Sequence, residues 1–267
     1  MKLIVAGDSW TYGSEIKDPS LSNNINYFDQ ENDSYRLANI WPTKLGNMLD
    51  ADDVINLSSP AASNDRIVRH LLGWLTENYL KDNKPTDKLF VVIGLTSPER
   101  KDFYYKSEED KADDWYTLWP MWEHKYHEKN FNRFARAYIE NLYNPEEYTH
   151  RYINQIFYLQ TVFRQYNIKH LFFQAFYQYK DLQIRNWIDS PYARNYTNQP
   201  DLYMWNLIDP IRFMHKEDET QSFHNYIINK DQTPNKKDSI LDSHPSELGH
   251  TWWADHVYDY CKCNNLL

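Results

Sequence analysis

The sequence predicts an α/β fold organised on a mainly parallel sheet, and three observations carry that expectation. Short, mostly apolar runs closed by turn residues recur at 3–6, 54–57, 89–94 and 168–173, as strands buried on both faces do. Segments with apolar residues at helical spacing fall between them, which gives the strand–helix–strand rhythm of a parallel sheet. The chain has 267 residues and only 6 Gly. That length suits one large domain over residues 1–267, and scarce glycine argues against flexible linkers.

The elements follow in order. Leu3, Ile4, Val5 and Ala6 form the first strand, ended by Gly7. Residues 15–34 are polar and read as a loop. Pro42 suits a first helical turn, and Leu45, Met48 and Leu49 follow at helical spacing. After the second strand, Ser63 is a good N-cap for a helix whose apolar face holds Ile67, Val68, Leu71, Leu72, Leu75 and Tyr79. The run 89–94 is apolar throughout, which marks a central strand. Residues 97–132, charged and aromatic with Trp115, Trp119 and Trp122, read as an insertion over the carboxyl edge of the sheet.

Asn144, Pro145, Glu146 and Glu147 combine a cap, a first-position proline and first-turn acids. Tyr148, Tyr152, Ile156, Leu159, Phe163 and Tyr166 continue as one helical stripe. The fourth strand follows, and residues 177–235 read as a second insertion. Pro245 opens a last helix running to about residue 260, with Leu248, Trp252, Trp253, His256, Val257 and Tyr260. Two insertions over one sheet edge would build a covered cleft there.

Composition narrows the partners. A formal charge of −9 argues against a nucleic-acid backbone or an anionic membrane as the main partner. No apolar run approaches the ~20 residues of a membrane helix. The apolar start is short and broken by Asp8, so no signal peptide is expected and the location expected is cytoplasmic. The 2 cysteines, Cys261 and Cys263, are too few for a disulfide framework or a four-ligand zinc site. Aromatic residues make up 16% of the chain, many of them in polar stretches where flat rings serve recognition.

The chemistry concentrates at the two ends. Gly7, Asp8 and Ser9 stand just past the carboxyl end of the first strand, where open α/β sheets place ligands. A serine hydroxyl needs a base to take its proton and donors to hold an oxyanion. His244, in a loop before Pro245, is the candidate base, and Asp242 is the candidate orienter of its ring. His124 and His127 have a spacing that one helical face could bring together, but no third ligand accompanies them, so they read as surface. His250 and His256 belong to the surface or packing of the last helix.

Gly7-Asp8-Ser9 at the start and Asp242-Ser243-His244-Pro245 at the end resemble the SGNH (GDSL-type) hydrolase family. The resemblance implies a three-layer α/β/α sandwich with a mainly parallel, about five-stranded sheet, of SGNH/flavodoxin-like type. It implies esterase, lipase, thioesterase or carbohydrate-deacetylase activity without a metal or cofactor. This chain departs from the family pattern in three places. The family's acid stands three residues before the histidine, where this chain has Leu241; Asp242 is one residue closer, and Asp238 is a weaker candidate. The family's second block supplies a glycine N–H to the oxyanion hole, and Ala61 stands at or near that place. The family's third block supplies an Asn side chain, and Thr96 stands there, with Asn64 or Arg100 as substitutes.

These readings converge on a serine esterase in which Ser9 attacks, His244 relays the proton, and the N–H groups of Ser9 and Ala61 hold the oxyanion. The aromatic insertions favour a small-molecule or glycan ester, an O-acylated carbohydrate above all. The competing reading is a catalytically weak or inactive module that binds glycan or serves a homo-oligomer or a virion assembly. The Asn-, Lys- and Tyr-rich composition with little Gly resembles that of proteins from AT-rich genomes, bacteriophages among them.

Overall fold

The computed structural model describes residues 1–22, 24–106, 113–120, 129–176, 202–216, 218–230, 240–241 and 244–267. The longer strands are β1 (Lys2–Ala6), β2 (Asp53–Asn56), β3 (Leu89–Leu95), β4 (Lys101–Lys106), β5 (Asp113–Leu118) and β6 (Lys169–Gln174). The first six α-helices are α1 (Ser9–Tyr12), α2 (Asp33–Asn39), α3 (Trp41–Met48), α4 (Asn64–Leu75), α5 (Lys129–Leu142) and α6 (Pro145–Gln165).

The four apolar runs form one parallel sheet of order β2-β1-β3-β6. Side chains alternate across a strand, and here they divide into two apolar layers. Ile4, Ala6, Val91, Ile93, Leu95 and Phe172 pack with Ile67, Leu71 and Leu75 of α4 and Tyr152, Ile156, Leu159 and Phe163 of α6. Leu3, Val5, Phe90, Val92, Leu171 and Phe173 pack with Trp41 and Leu45 of α3 and with Trp253, Ala254 and Val257 of the C-terminal helix Glu247–Cys263. Helices therefore cover both faces, which is the three-layer α/β/α arrangement. At about 1.5–3 kcal/mol for each large apolar side chain buried, these two layers hold the sheet.

Among the described residues the sheet has four full strands, where about five were expected. The fifth position is a single parallel bridge, Phe172 to Phe213. Phe172 N donates to Arg212 O and Met214 N donates to Phe172 O, both at 2.8 Å. The segment after β6 was expected to be an insertion, but its described part belongs to the layers. Trp205 and Ile208, in and after the helix Leu202–Leu207, join the α4–α6 layer, and Phe223 and Ile227 of the helix Phe223–Lys230 join the other. Residues 177–200 lie outside the described residues.

The first insertion is a β4–β5 antiparallel hairpin followed by α5. Phe131, Ala135 and Tyr138 give α5 a buried stripe at i, i+4 and i+7. With Leu118 and Tyr148 they make a small third cluster, edged by Phe103, Tyr105 and Tyr116. The hairpin is pinned to α4 by the buried Asp102. Its Oδ1 accepts from Ser63 Oγ at 2.6 Å and Thr117 Oγ1 at 2.7 Å, and its Oδ2 from Arg69 at 2.8 Å. Burial opposes ionisation of Asp102, but those bonds, with Arg66 nearby, outweigh it and hold its carboxyl below the usual range. Ser63 also caps α4 by accepting from Arg66 N, as its position in the sequence predicts.

Among the described residues no helix is long and apolar enough to cross a membrane, and no group of three His, Cys, Asp or Glu is placed to hold a metal ion. His124 and His127 lie outside the described residues.

Two buried histidines make the fold sensitive to acid. His170 on β6 is 4% exposed, and burial lowers its pKa to about 4. His250 is wholly buried and lowered to about 3, with its Nδ1 accepting from Trp41 N at 3.3 Å. Both stay neutral in the fold while the unfolded chain binds protons below pH 6.5. Their stabilisation is therefore complete above that pH and is lost as pH falls toward 4. Near pH 5 the two should together give a stability slope of about 2.5 kcal/mol per pH unit. Denaturant unfolding measured between pH 7 and 4 should show it, and His170→Phe should remove about half of it.

Candidate active site

The site begins with the turn that follows β1. Asp8 caps α1 by accepting Trp10 N at 3.0 Å, so Ser9 is the first helical residue. Gly13 ends the helix at φ +85°, and both Gly13 N and Ser14 N donate to Ser9 O at 3.0 Å. A side chain at Gly13 would meet Ile40 Cγ2 at 2.2 Å. Glycine is needed here both for the left-handed turn and for the close approach of α3's first turn. Gly7 also lacks room, since a Cβ there would lie 2.3 Å from Thr11 Oγ1. Ser9 is thus presented at a helix start, 8% exposed. Among the described residues its N–H has no acceptor, which is the usual state of a first-turn amide.

Asp8 is itself wholly buried. Its Oδ2 accepts from Thr96 Oγ1 at 2.7 Å and from Arg100 Nη1 at 3.4 Å. Arg100 Nη1 also donates to Ala62 O at 3.2 Å, and the guanidinium lies 4.6 Å above the Trp119 ring. Asn64 clamps the backbone of Thr96 from both sides, with Nδ2 to Thr96 O and Thr96 N to Oδ1, each at 3.0 Å. The three residues expected as side-chain oxyanion donors are therefore gathered at the site, where each also holds the surrounding chain. The Thr96 proton goes to Asp8, the Asn64 amide to Thr96, and Arg100 to Asp8 and Ala62.

Ala61 occupies the loop that leaves β2, in the left-handed region at φ +57°. That is the backbone a glycine would adopt freely and an alanine adopts under strain. Its N–H, like that of Ser9, has no acceptor among the described residues. Ser59 N donates to Gly7 O at 3.3 Å, which brings this loop against the serine turn.

His244 arrives from the far end of the chain in a two-residue strand, His244–Pro245, paired with Ile240–Leu241. Ser246 then caps the C-terminal helix by accepting Gly249 N. The His244 ring lies 6.5 Å from the indole of Trp10, the residue after the serine. Ser9 Oγ and the His244 ring are not directly hydrogen-bonded. Instead, His244 Nδ1 is 2.9 Å from Glu15 Oε1. Asp242 lies outside the described residues.

Glu15 is the residue that the sequence reading passed over. It sits six positions after Ser9, past the Gly13 stop, and a glycine that folds a short helix back on itself was the available signal. His224 was also passed over; its ring stands 5.4 Å from Trp10. The aromatic residues of the first insertion mostly pack on one another, as in Phe103–Phe134 and Tyr105–Phe131. Trp119 is the described one that reaches the site residues, through Arg100. Two open hollows of about 440 Å³ occur on the surface. One is lined along α6 by residues including Glu147, Arg151 and Tyr158, the other beside α4 by residues including Arg69, His70 and Trp74. Neither is lined by Ser9 or His244.

The chain is similar to two solved structures over nearly its whole length. One is the psychrotrophic esterase EstA from Pseudoalteromonas sp., in a structure inhibited by monoethylphosphonate: 13% identity, 98% of this chain and 97% of that one, TM-score 0.44. The other is TesA: 12% identity, 100% of both chains, TM-score 0.46. No curated protein matches. The bacteriophage origin suggested by composition finds no support in these comparisons. A family described as DUF6071, a family of unknown function, matches residues 23–225, and on that extent the chain belongs to the DUF6071 family.

Proposed function

We propose that this protein is a serine hydrolase of carboxylic esters, with Ser9 as nucleophile and His244 as general base. The observation that carries this reading is the carboxylate held 2.9 Å from His244 Nδ1 beside the turn that presents Ser9. A carboxylate on one ring nitrogen fixes the proton there and leaves the other nitrogen's lone pair to take a proton from a hydroxyl. Ser9 Oγ would attack the ester carbonyl as His244 Nε2 takes its proton. The alkoxide then leaves with that proton, and water releases the acyl group by the same relay.

Two main-chain donors are free for the developing oxyanion, the N–H groups of Ser9 and Ala61. Thr96, Asn64 and Arg100 serve by holding Asp8 and the loops around it. Asp242, one residue closer to His244 than the acid of the family the sequence resembles, is the alternative orienter. For the substrate, an O-acylated carbohydrate is the reading that the aromatic side chains of the insertion around residues 97–132 suggest. Sugar rings pack their apolar faces on such surfaces.

Hydrolysis of 4-nitrophenyl acetate at pH 8 should be measurable and should fall at least about a thousandfold in Ser9→Ala. A fluorophosphonate should add to Ser9, read by peptide mapping. Undiminished turnover or labelling in Ser9→Ala would remove Ser9 from the reaction. Ala61→Gly keeps the N–H and releases the strain of φ +57°. It should keep the esterase rate within a few fold while stabilising the fold by about 1 kcal/mol, a rise in Tm of about 2–4 °C.

A further inference from the structure

We infer that Glu15, from the same turn as the nucleophile, is the carboxylate that orients His244. The inference rests on the Ser9–His244 reading above and deepens it. In the family that the sequence resembles, the acid comes from the histidine's own loop, whereas here the geometry draws it from the opposite end of the chain. His244 Nδ1 lies 2.9 Å from Glu15 Oε1, and both side chains are largely shielded, 19% and 26% exposed. That is the distance of a charge-assisted hydrogen bond in partial shelter from water, where such a bond counts for more than on the surface.

The backbone supplies an independent argument. Glu15 stands at φ +71°, a conformation that Gly or Asn adopts far more readily. The chain on both sides is fixed. Ser14 N donates to Ser9 O at 3.0 Å, Ile16 is 1% exposed, and Ile16 O accepts from Asn32 Nδ2 at 2.8 Å. Arg36 Nη1 donates to Tyr12 O at 2.7 Å and steadies the end of α1. A strained residue held from both sides points to a use for its side chain. Glu15 Oε2 is buried without a hydrogen-bond partner among the described residues, a cost that a merely solvated glutamate would not bear.

The role is that of a positioning residue. Glu15 would accept the Nδ1–H of His244, so that Nε2 presents a lone pair toward Ser9, and would stabilise the imidazolium once the Ser9 proton has moved to Nε2. No bond to Glu15 forms or breaks.

The test uses the full chain with ¹⁵N-labelled histidine at pH 8, together with 4-nitrophenyl acetate kinetics. The wild type should show His244 as the Nδ1–H tautomer. Glu15→Met keeps the arm's length and removes both oxygens. It should shift His244 to the Nε2–H tautomer and lower kcat about 10²–10⁴-fold with KM nearly unchanged. Glu15→Asp, at home in a left-handed turn, should restore part of both. Retention of the Nδ1–H tautomer and of kcat in Glu15→Met would overturn the inference, and so would their loss in Asp242→Asn with no change in Glu15→Met. The tautomer can be read whether or not the protein turns over an ester. A chain with the expected tautomers and no hydrolysis would therefore refute the esterase reading while leaving the role of Glu15 in orienting His244 intact.

Discussion

Asp8 is wholly buried, and its two oxygens are committed to different pieces of the carboxyl edge. Oδ1 caps the serine helix, while Oδ2 meets Thr96 at the end of β3 and Arg100 at the start of the hairpin. Arg100 then reaches Ala62 in the loop after β2. One buried ion pair thus joins the loops that follow three neighbouring strands. Removing Arg100 would take the cation away from the buried Asp8 carboxyl, a loss that costs about 3–5 kcal/mol. This interaction holds the serine turn together with Trp10, which joins the apolar layer on the α3 side.

A second constraint concerns the two ends of the chain. The Glu15–His244 contact closes a span of nearly the whole polypeptide. The C-terminal helix that delivers His244 is anchored by Trp253 against Phe173, with ring centroids 5.0 Å apart, and by His250 against Trp41 N. The left-handed positions Gly13, Glu15 and Ala61 all lie in the loops around Ser9. Backbone strain of this kind survives only where surrounding contacts over-determine it. At Ala61 the cost has a chemical return on the proposed reading, since the left-handed turn leaves an N–H unused by the fold.

The readable parts of this sequence were the local ones. The four strands showed as apolar runs. Ser63 and Asn144-Pro145 announced α4 and α6 because caps act within one turn. Helix α5 escaped because Phe131, Ala135 and Tyr138 are embedded among charged and aromatic neighbours that blur the stripe. The fifth strand escaped because a single bridge at Phe213 has no run to detect. The contacts of Thr96, Asn64 and Arg100 were not legible for another reason. Their residue types suit an oxyanion hole, but the buried Asp8 accepts from Thr96 and Arg100 and the Thr96 carbonyl accepts from Asn64, through contacts across 88, 92 and 32 residues. Glu15 was hidden in the same way, by a partner at the other terminus.

The account stands on Ser9, Ala61 and His244 converging on one reacting centre. A crystal structure of the protein inactivated by a small phosphonylating agent tests this most directly. The account predicts phosphorus bonded to Ser9 Oγ and the phosphonyl oxygen accepting from both Ser9 N and Ala61 N at about 2.7–3.1 Å. It also predicts His244 Nε2 within about 3.2 Å of the serine oxygen or the leaving-group position. An adduct on another residue, or a Ser9 adduct whose oxygen faces away from Ala61 while His244 stays out of reach, would contradict it.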